Sequence, residues 1–556
     1  MSERVQILGA NGKPLPPSTG SFFPNRARAL SGGSHTPYDA ADIHGGHMVD
    51  WNPVLSSPDG EVNPYRDRMV ARERDLIRND GWASAAVTRA IDNVVGANFR
   101  PIAKPDYRAL AAISGNKGFD HQWAEEWSQA FAGYYRAWAD DTSKYCDSER
   151  FQTLPQQYRL AFRHLLSDGD ALAMIRWMPE RIRVGGARYA TAVQIIDPDR
   201  LSNPQLRFDQ QTMRGGVEVD DDGAAVAYHI RKAHQGDYFS AARSMTWERI
   251  PRETEWGRPV IVHCFDRERA GQHRGVGFLT PVVNRLKMLI KYDGTELDAA
   301  IINAFFAAYI ESPFDHELVE GALSADDSKL SAYQTERANY HKDRRTALGD
   351  VGMSLLFPGE KIGSVSANRP SANYDGFSSA MLRHVAAGTG LVAQQISQNW
   401  SEINYSAFRA AMLEAWKTFH RRRYDFAVNF SAPVAAAFLE ESMEVDDYPM
   451  PSGPVPHFLE ARSEYCRARW MGPGKGYVDP VKEKQGAILG LQSGLSTLDI
   501  EGSEQGEDWR EVADQRAVEQ AYYRERDLPM PVWSVEQPKE PPASSPNAGD
   551  EDKERA

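Results

Sequence analysis

From Phe278 onward the sequence keeps one helical period for about thirty residues. Leu286, Leu289, Ile290, Leu297, Ala300, Ile301, Ala304 and Phe305 recur at steps of three and four. At 1.5 Å per residue such a helix reaches roughly 45 Å. Gly294, near its middle, is where a bend is expected. The segments C-terminal to this helix constrain the fold as much as its length does. Residues 311–365 are polar: SADDSKLSAYQTERANYHKDRRTA reads as a solvated helix, and VGMSLLFPGEKIGSV as a strand, a Pro-Gly turn and another strand. Phe377, Met381, Leu382 and Val385 then make a second helical face that closes at Gly388 and Gly390. VAQQISQNWSEINYS comes next, polar and aromatic, without helical phase. A third helix carries Phe408, Met412, Trp416, Phe419 and Phe426, and Pro433 should break or kink it.

The N-terminal half mixes helix with strand, so the class is α+β. Asp80-Gly81 precedes WASAAVTRAIDNVVG, where Ala85, Val87, Ala90, Ile91 and Val94 share a face. HQWAEEWSQAFAGYYRAW and LPQQYRLAFRHLLSDG are two more helices, the latter stopping at Gly169 before the strand-like ALAMIRWMP. YATAVQIID, GVEVD, AAVAYHIRK and RPVIVHCFD are short strands between turn signals such as Asp222-Gly223. Near the C-terminus, Asp479 caps a helix with Pro480 at its first position. A last helix, EDWREVADQRAVEQAYYRERD, is amphipathic through Trp509, Val512, Ala513 and Ala517. Both ends read as unstructured. Residues 1–48 hold seven Gly and five Pro, and 536–556 hold six acids against three bases and four Pro.

Composition narrows the class. The chain has 556 residues, more than one compact core usually holds. No apolar run reaches the ~18 residues that span a bilayer. The N-terminus lacks a secretory signal, so a cytoplasmic place of assembly is expected. Three scattered cysteines, Cys146, Cys264 and Cys466, read as reduced thiols. A net charge of −13 argues against a nonspecific DNA clamp, though not against a surface past which DNA slides.

No catalytic constellation survives inspection. GPGKGY at 472–477 lacks the spacing and the Ser or Thr of a phosphate-binding loop. GVG at 275–277 lacks a third fingerprint glycine and reads as a tight turn. His44 and His47 have no Cys or carboxylate at ligand spacing. His263 and Cys264 are strand neighbours on opposite faces, read as a surface His and a core Cys. Asp220 to Asp222, and Asp446 with Asp447, sit in turn-like contexts. The run Arg421 to Arg423 fans around its helix and reads mainly as a solvated face. No metal, no cofactor and no enzymatic activity are expected.

Four ordered stretches carry a resemblance from about Trp51 to Leu528. They are WNP with ARERDLIRNDGWASAAVTRAIDNVVGANFR, RGVGFLTPVVNRLKMLIKYDGTELDAAIINAFFAAYIES, ISQNWSEINYSAFRAAMLEAWKTFHRRR, and LEARSEYCRARWMGPGKGYVDPVKEKQGAILGLQSGLST. Together they resemble the lambda-type portal proteins of tailed bacteriophages. The resemblance implies a portal fold of wing, stem, clip and crown, closed as a ring of about twelve subunits around an axial channel.

The expected division is a flexible arm, 1–48; a wing, 49–275; a first stem helix, 276–310; a clip, 311–365; and a second stem helix, 366–391. A tunnel loop, 392–406, is followed by a long kinked helix returning to the wing, 407–475, a helical crown, 476–535, and an acidic tail, 536–556.

The implied function is a conduit for double-stranded DNA at one capsid vertex, in packaging and ejection. The implied partners are further copies of the chain, DNA, the terminase large subunit, major capsid and scaffold proteins, and head-completion or adaptor proteins, with no membrane. Expected channel residues are Gln395, Ser397, Asn399, Trp400, Ser401, Asn404 and Tyr405. Trp400 has two readings, toward DNA or against the adjacent subunit. Lys342, Arg344 and Arg345 are the expected terminase-docking cluster. Leu297, Ile301 and Phe305 are the expected ring contacts. The rival readings are another ring-forming head–tail adaptor and a head-maturation enzyme. The first is usually shorter, and the second needs a nucleophile–base pair or carboxylate cluster.

Overall fold

The computed structural model describes residues 50–306, 335, 339, 345–348, 351–354, 374–401, 404–476 and 479–530. The expected arm and acidic tail therefore lie outside the described residues, as do His44, His47 and most of the expected clip. Residues 1–57 and 58–556 form separate units, and every described helix and strand belongs to the second.

The expected front helices form at Gly81–Val94, His121–Ala139 and Leu154–Asp168. Asp80 caps the first of them, its carboxylate accepting from Ala83 N at 2.8 Å. Its buried face is Ala83, Ala86, Val87, Ala90 and Val94, so Ala83 and Ala86 take the place expected for Ala85. A further helix, Arg66–Asn79, precedes it.

The strands are β1 (Arg100–Ala103), β2 (Asp170–Trp177), β3 (Thr191–Ile196), β4 (Met213–Arg214), β5 (Val217–Val219), β6 (Ala225–Arg231), β7 (Trp247–Pro251) and β8 (Ile261–Phe265), then β9 (Arg345–Leu348), β10 (Val351–Ser354) and β11 (Ala468–Met471). They form four small antiparallel sheets: β3-β2-β8, β4-β5-β6-β7, β9-β10 and β1-β11. The β9-β10 pair corrects the sequence reading. Arg345 opens a strand rather than continuing a helix, and its strand pairs with Val351–Ser354 ahead of Pro358-Gly359.

The third long helix begins at Tyr405 and carries the core. Its first segment ends at Phe426, and Ala427–Ser431 is a single wide π turn. Ala432–Val445 then continues. Pro433 therefore does not break the helix. Proline has no N–H to donate, and one widened turn just ahead of it absorbs the missing bond. Phe426, Phe430 and Phe438 from this run are fully buried among Trp127, Tyr158 and Phe162. Phe438 stacks on Trp138 at 4.6 Å between centroids, and Phe99 stacks on Trp470 at 5.1 Å. Two segments more than 300 residues apart in sequence thus share one aromatic core.

Beside the core lies a cluster of charge with almost no water. Asp170 is wholly buried. Its Oδ2 accepts from Arg66 Nε at 3.1 Å and Arg274 Nε at 2.8 Å. Its Oδ1 accepts from Gly275 N at 2.8 Å and meets His263 Nε2 at 3.0 Å. Arg274 spends its remaining donors on the carbonyls of Leu201, Gly215 and Pro198. The neighbouring Asp168 accepts from Arg74 at 2.7 Å. The cations hold the Asp170 carboxyl far below the usual carboxylate range, while burial pushes Arg274 and His263 down. His263 is therefore a buried member of this cluster and not the surface histidine expected.

Replacing Asp170 with Asn keeps the shape but leaves two buried guanidinium groups without their anion. Breaking a buried pair in this way costs about 3–5 kcal/mol. Asp170→Asn should therefore lower the urea midpoint sharply at pH 7. The gap between variant and parent should begin to narrow as pH falls below the ordinary carboxylate value of 3.8 and should close only below the depressed pKa of folded Asp170. An unchanged midpoint at pH 7 would remove the cluster from the account of stability.

Candidate functional site

The best-placed surfaces lie where the first long helix leaves the core, so the first question is what fixes that helix. Gly169 and Gly275 meet backbone to backbone, and a Cβ on Gly275 would overlap the Gly169 carbonyl. Phe278 N donates to Leu166 O at 2.8 Å. Glu73, reaching from the helix Arg66–Asn79, accepts from Leu279 N at 3.2 Å and from the Thr280 hydroxyl. After a 3-10 turn at Thr280–Val282 the helix runs Val283–Phe306, all within the described residues. Leu286 and Leu289 anchor it in the core.

Farther along, Leu297 and Ile301 are 62% and 46% exposed. They are not covered by the described residues, and the side chain of Phe305 lies outside those residues. The helix Tyr374–Thr389 runs beside it. Tyr292 stacks on Tyr374 at 5.7 Å, and the Tyr374 hydroxyl donates to Asp293 at 2.9 Å. Met381, Leu382 and Val385 are buried as expected, but Phe377 is half exposed against Tyr292.

The connection to the third helix is less irregular than expected. Ala393–Ser397 is a short helix, closed by Gln398 in a left-handed conformation at φ 54°. Gln395 is buried, and its amide oxygen accepts from Val392 N at 3.0 Å. It caps its own helix and does not present a side chain to open space, so it leaves the set of channel residues. Ser397 is half-buried and accepts from Asn399 N. Asn399, Trp400, Ser401 and Asn404 are exposed. Asn399 Oδ1 accepts from both the backbone and the hydroxyl of Ser401. Asn404 caps the third helix, accepting from Ala407 N at 2.8 Å. Trp400 stands edge-on to Phe408 at 5.2 Å, so its ring is held by its own chain. Tyr405 is the first helical residue, its side chain outside the described residues. Of the expected docking cluster, Lys342 and Arg344 lie outside the described residues, and Arg345 is placed by its backbone alone in β9.

Several other residues differ from expectation. Arg423 is buried and donates to the carbonyls of Val94, Asn93 and Pro473; burial pushes it down to about 10. Arg422, also pushed down to about 10 by burial, lies over the Phe278 ring. Of the triplet only Arg421 faces water. Asp446 is buried, holding Arg188 and the Tyr189 hydroxyl. Lys475 of GPGKGY pairs with Glu504 at 2.5 Å. Asp197, Asp199 and His234 bring ligand atoms together, but Arg74 already ion-pairs with both carboxylates. The last helix, Trp509–Glu525, buries no residue, and Val512, Ala513 and Ala517 stay exposed within the chain. No described helix is long and apolar enough to cross a membrane.

This arrangement offers positioned helices, an exposed polar loop and uncovered apolar side chains, with no assembled reactive group among the described residues. The family model for phage portal proteins of the lambda family matches residues 44–423. The chain belongs to that family. The portal protein of Escherichia phage N15 is 31% identical over 496 residues, covering 88% of this chain and 91% of the relative. Portal protein B of Escherichia phage lambda is 30% identical over 496 residues, covering 88% and 90%. Among solved structures, a chain from the virion of a native gene transfer agent particle covers 64% of this chain and 87% of its own length. That chain is 13% identical with a TM-score of 0.30, which is too low to carry an argument. The portal family is thus carried by sequence.

Glu73 generates a pH prediction for the root of the first helix. Burial pushes its carboxyl up from 4.5 to about 7. A raised acid pKa means the folded chain resists charging this group. The penalty is absent below pH 4.5, grows through pH 7 and is complete above it, on the order of 3 kcal/mol. Glu73→Gln, which keeps an acceptor for Leu279 N, should match the parent near pH 5 and exceed it in urea midpoint at pH 8.5. A variant weaker than the parent at both pH values would contradict this.

Proposed function

We propose that copies of this portal-family chain close into a ring of about twelve around an axial channel at one capsid vertex, and that double-stranded DNA passes along the axis in packaging and ejection. The exposure of Leu297 and Ile301 on the first long helix carries the reading. Apolar side chains in phase with the buried Leu286 and Leu289 are left without cover by the described residues of their own chain. A neighbouring subunit, meeting them with a different face, is the cover a closed ring supplies. Wing, stem, clip and crown are the corresponding parts of each subunit. The protein does no bond chemistry and resides in the virion.

Mass is the direct test. Twelve chains of 62.2 kDa give an assembly of about 750 kDa. Ile301→Asp places a charge on the ring contact without disturbing the chain's own core. It should give a folded subunit with native hydrogen exchange around Leu286 and no large assembly. Rings of normal mass from this variant would move the subunit contact elsewhere.

Asn399, Ser401 and Asn404 supply the polar loop proposed to face DNA. Neutral amides and hydroxyls bond phosphates weakly, whereas each fixed cation adds affinity that would oppose sliding. Ser397, Trp400 and Tyr405 complete that proposed surface. Deleting 398–402 should spare ring yield and reduce the DNA content of filled heads. Normal DNA content would exclude a role in handling DNA, and lost rings would make the loop a subunit contact.

The clip residues Lys342, Arg344 and Arg345 are proposed to steer the terminase large subunit through opposite charge. Reversing the three charges should leave the ring intact and weaken terminase binding in a pull-down. Unchanged binding would place docking on another surface. Major capsid, scaffold and head-completion proteins are the other proposed partners.

A further inference from the structure

The C-terminal helices are attached in an unusual way. Pro480–Gln492, Leu498–Glu504 and Trp509–Glu525 bury no residue at all. Ion pairs join them to the body, beside a backbone bond from Lys475 N to Glu504 O and the close approach of Gly474 to Gln505. Glu511 meets Arg100 at 2.6 Å and also pairs with Arg136. Asp499 meets Lys104 at 2.5 Å and Arg469 at 2.8 Å. Glu504 meets Lys475, and one pair runs the other way, from Arg510 to Glu125. Three carboxylates of the segment therefore cover five cations. Residues 476–530 carry twelve acids against six bases.

The covered cations form a surface of their own. Alternation along β1 and its extension puts Arg100, Ile102 and Lys104 on one face, and the register puts Arg469 opposite Ile102 on that same face. Arg136 and Arg159 line the adjoining cavity of about 450 Å³, which Glu511 and Asp514 close from the segment's side. A body surface this basic, on a chain of net charge −13, is neutralised by its own C-terminal segment.

We propose that this surface is a second DNA-binding site, separate from the channel, which takes phosphates of double-stranded DNA, and that residues 498–525 are its reversible acidic cover. Partly exposed ion pairs are individually weak and are screened by salt. A cover held by such pairs opens readily, and a phosphate backbone offers the same cations a denser line of negative charge. The choice of double-stranded DNA as the polyanion rests on the proposed portal function; the covered surface and its cover do not.

The test uses the full chain and a covalently closed circular duplex, which cannot thread a closed ring. Asp499→Asn with Glu511→Gln weakens the cover without changing side-chain shape. Asp75→Asn with Asp92→Asn, on outer helix faces, changes the net charge equally. Hydrogen exchange over 498–525 should rise in the first double variant alone. That variant should bind the circle about tenfold more tightly than the parent at low salt, and the control should match the parent. Adding Arg100→Ser and Arg469→Ser should abolish the gain. Unchanged protection of 498–525, no gain in binding, an equal gain in the control, or a gain that survives loss of the arginines would each overturn the proposal. Preference for a polyglutamate peptide over the circle would overturn it in favour of an acidic protein partner. Normal ring mass in all variants would show that such a failure belongs to this site and not to the ring reading.

Discussion

The Asp170 carboxylate is the point at which the separate parts of this chain are tied together. Its four bonds come from a helix at Arg66, a strand at His263, and the Arg274-Gly275 turn that leads to the first long helix. Arg274 then reaches three carbonyls of the β-rich region. A charge this deep is tolerated only when every partner is in place. The cluster therefore does more to fix one arrangement than to add net stability. Removing any member leaves the others buried and unsatisfied, so the root of the first helix has a single permitted position relative to the strands beneath it.

That position is what the aromatic core then exploits. Gly169 and Gly275 allow backbone contact beside Asp170, and the first helix leaves the core at Leu289. The third helix returns through the same region and sinks Phe426, Phe430 and Phe438 into it. Its π turn is a local cost of carrying Pro433 through a helix too well buried to bend away. Beyond the core, the first helix carries Leu297 and Ile301 into the open. The contrast between one buried end and one uncovered end is a property of the whole helix and is visible only once its root is fixed.

Much of this was legible locally. Helical phase marked all three long segments, and Asp479 announced its helix as a capping residue. Short runs between turn signals marked β2, β3, β5, β6 and β8, whereas β1, β4, β7 and β11, too short or too polar to stand out, did not show. What escaped is non-local. His263, Arg274 and Asp446 look like ordinary polar residues until partners about a hundred to over two hundred and fifty positions away arrive. Arg423 looked solvated because its acceptors are carbonyls, which leave no charge pattern in sequence. Gln395 looked available because a capping bond to Val392 is one residue class among many that could fill it. The candidate loop was found by its lack of phase, and its short helix was too brief to register against that background.

The fate of the arginines decides how an acidic chain can serve a polyanion. Arg66, Arg274 and Arg423 are consumed inside the fold, and Arg422 lies largely out of water over an aromatic ring. Arg74 is shared among three aspartates. Arg100, Arg136 and Arg469 are answered by the C-terminal segment. Few of these cations are left to hold phosphate strongly in the resting chain. Around Asn399 and Asn404 the amide oxygens accept from Ser401 N and Ala407 N, and the Ser401 hydroxyl donates to Asn399 Oδ1. A neutral amide N–H or hydroxyl exchanges water for another acceptor with little net change in free energy. In the proposed channel, a surface with that chemistry would oppose the passage of a polyanion less than fixed cations would. A surface that holds a polyanion needs cations, and Arg100, Lys104, Arg136 and Arg469 are paired with Glu511 and Asp499 of the C-terminal segment.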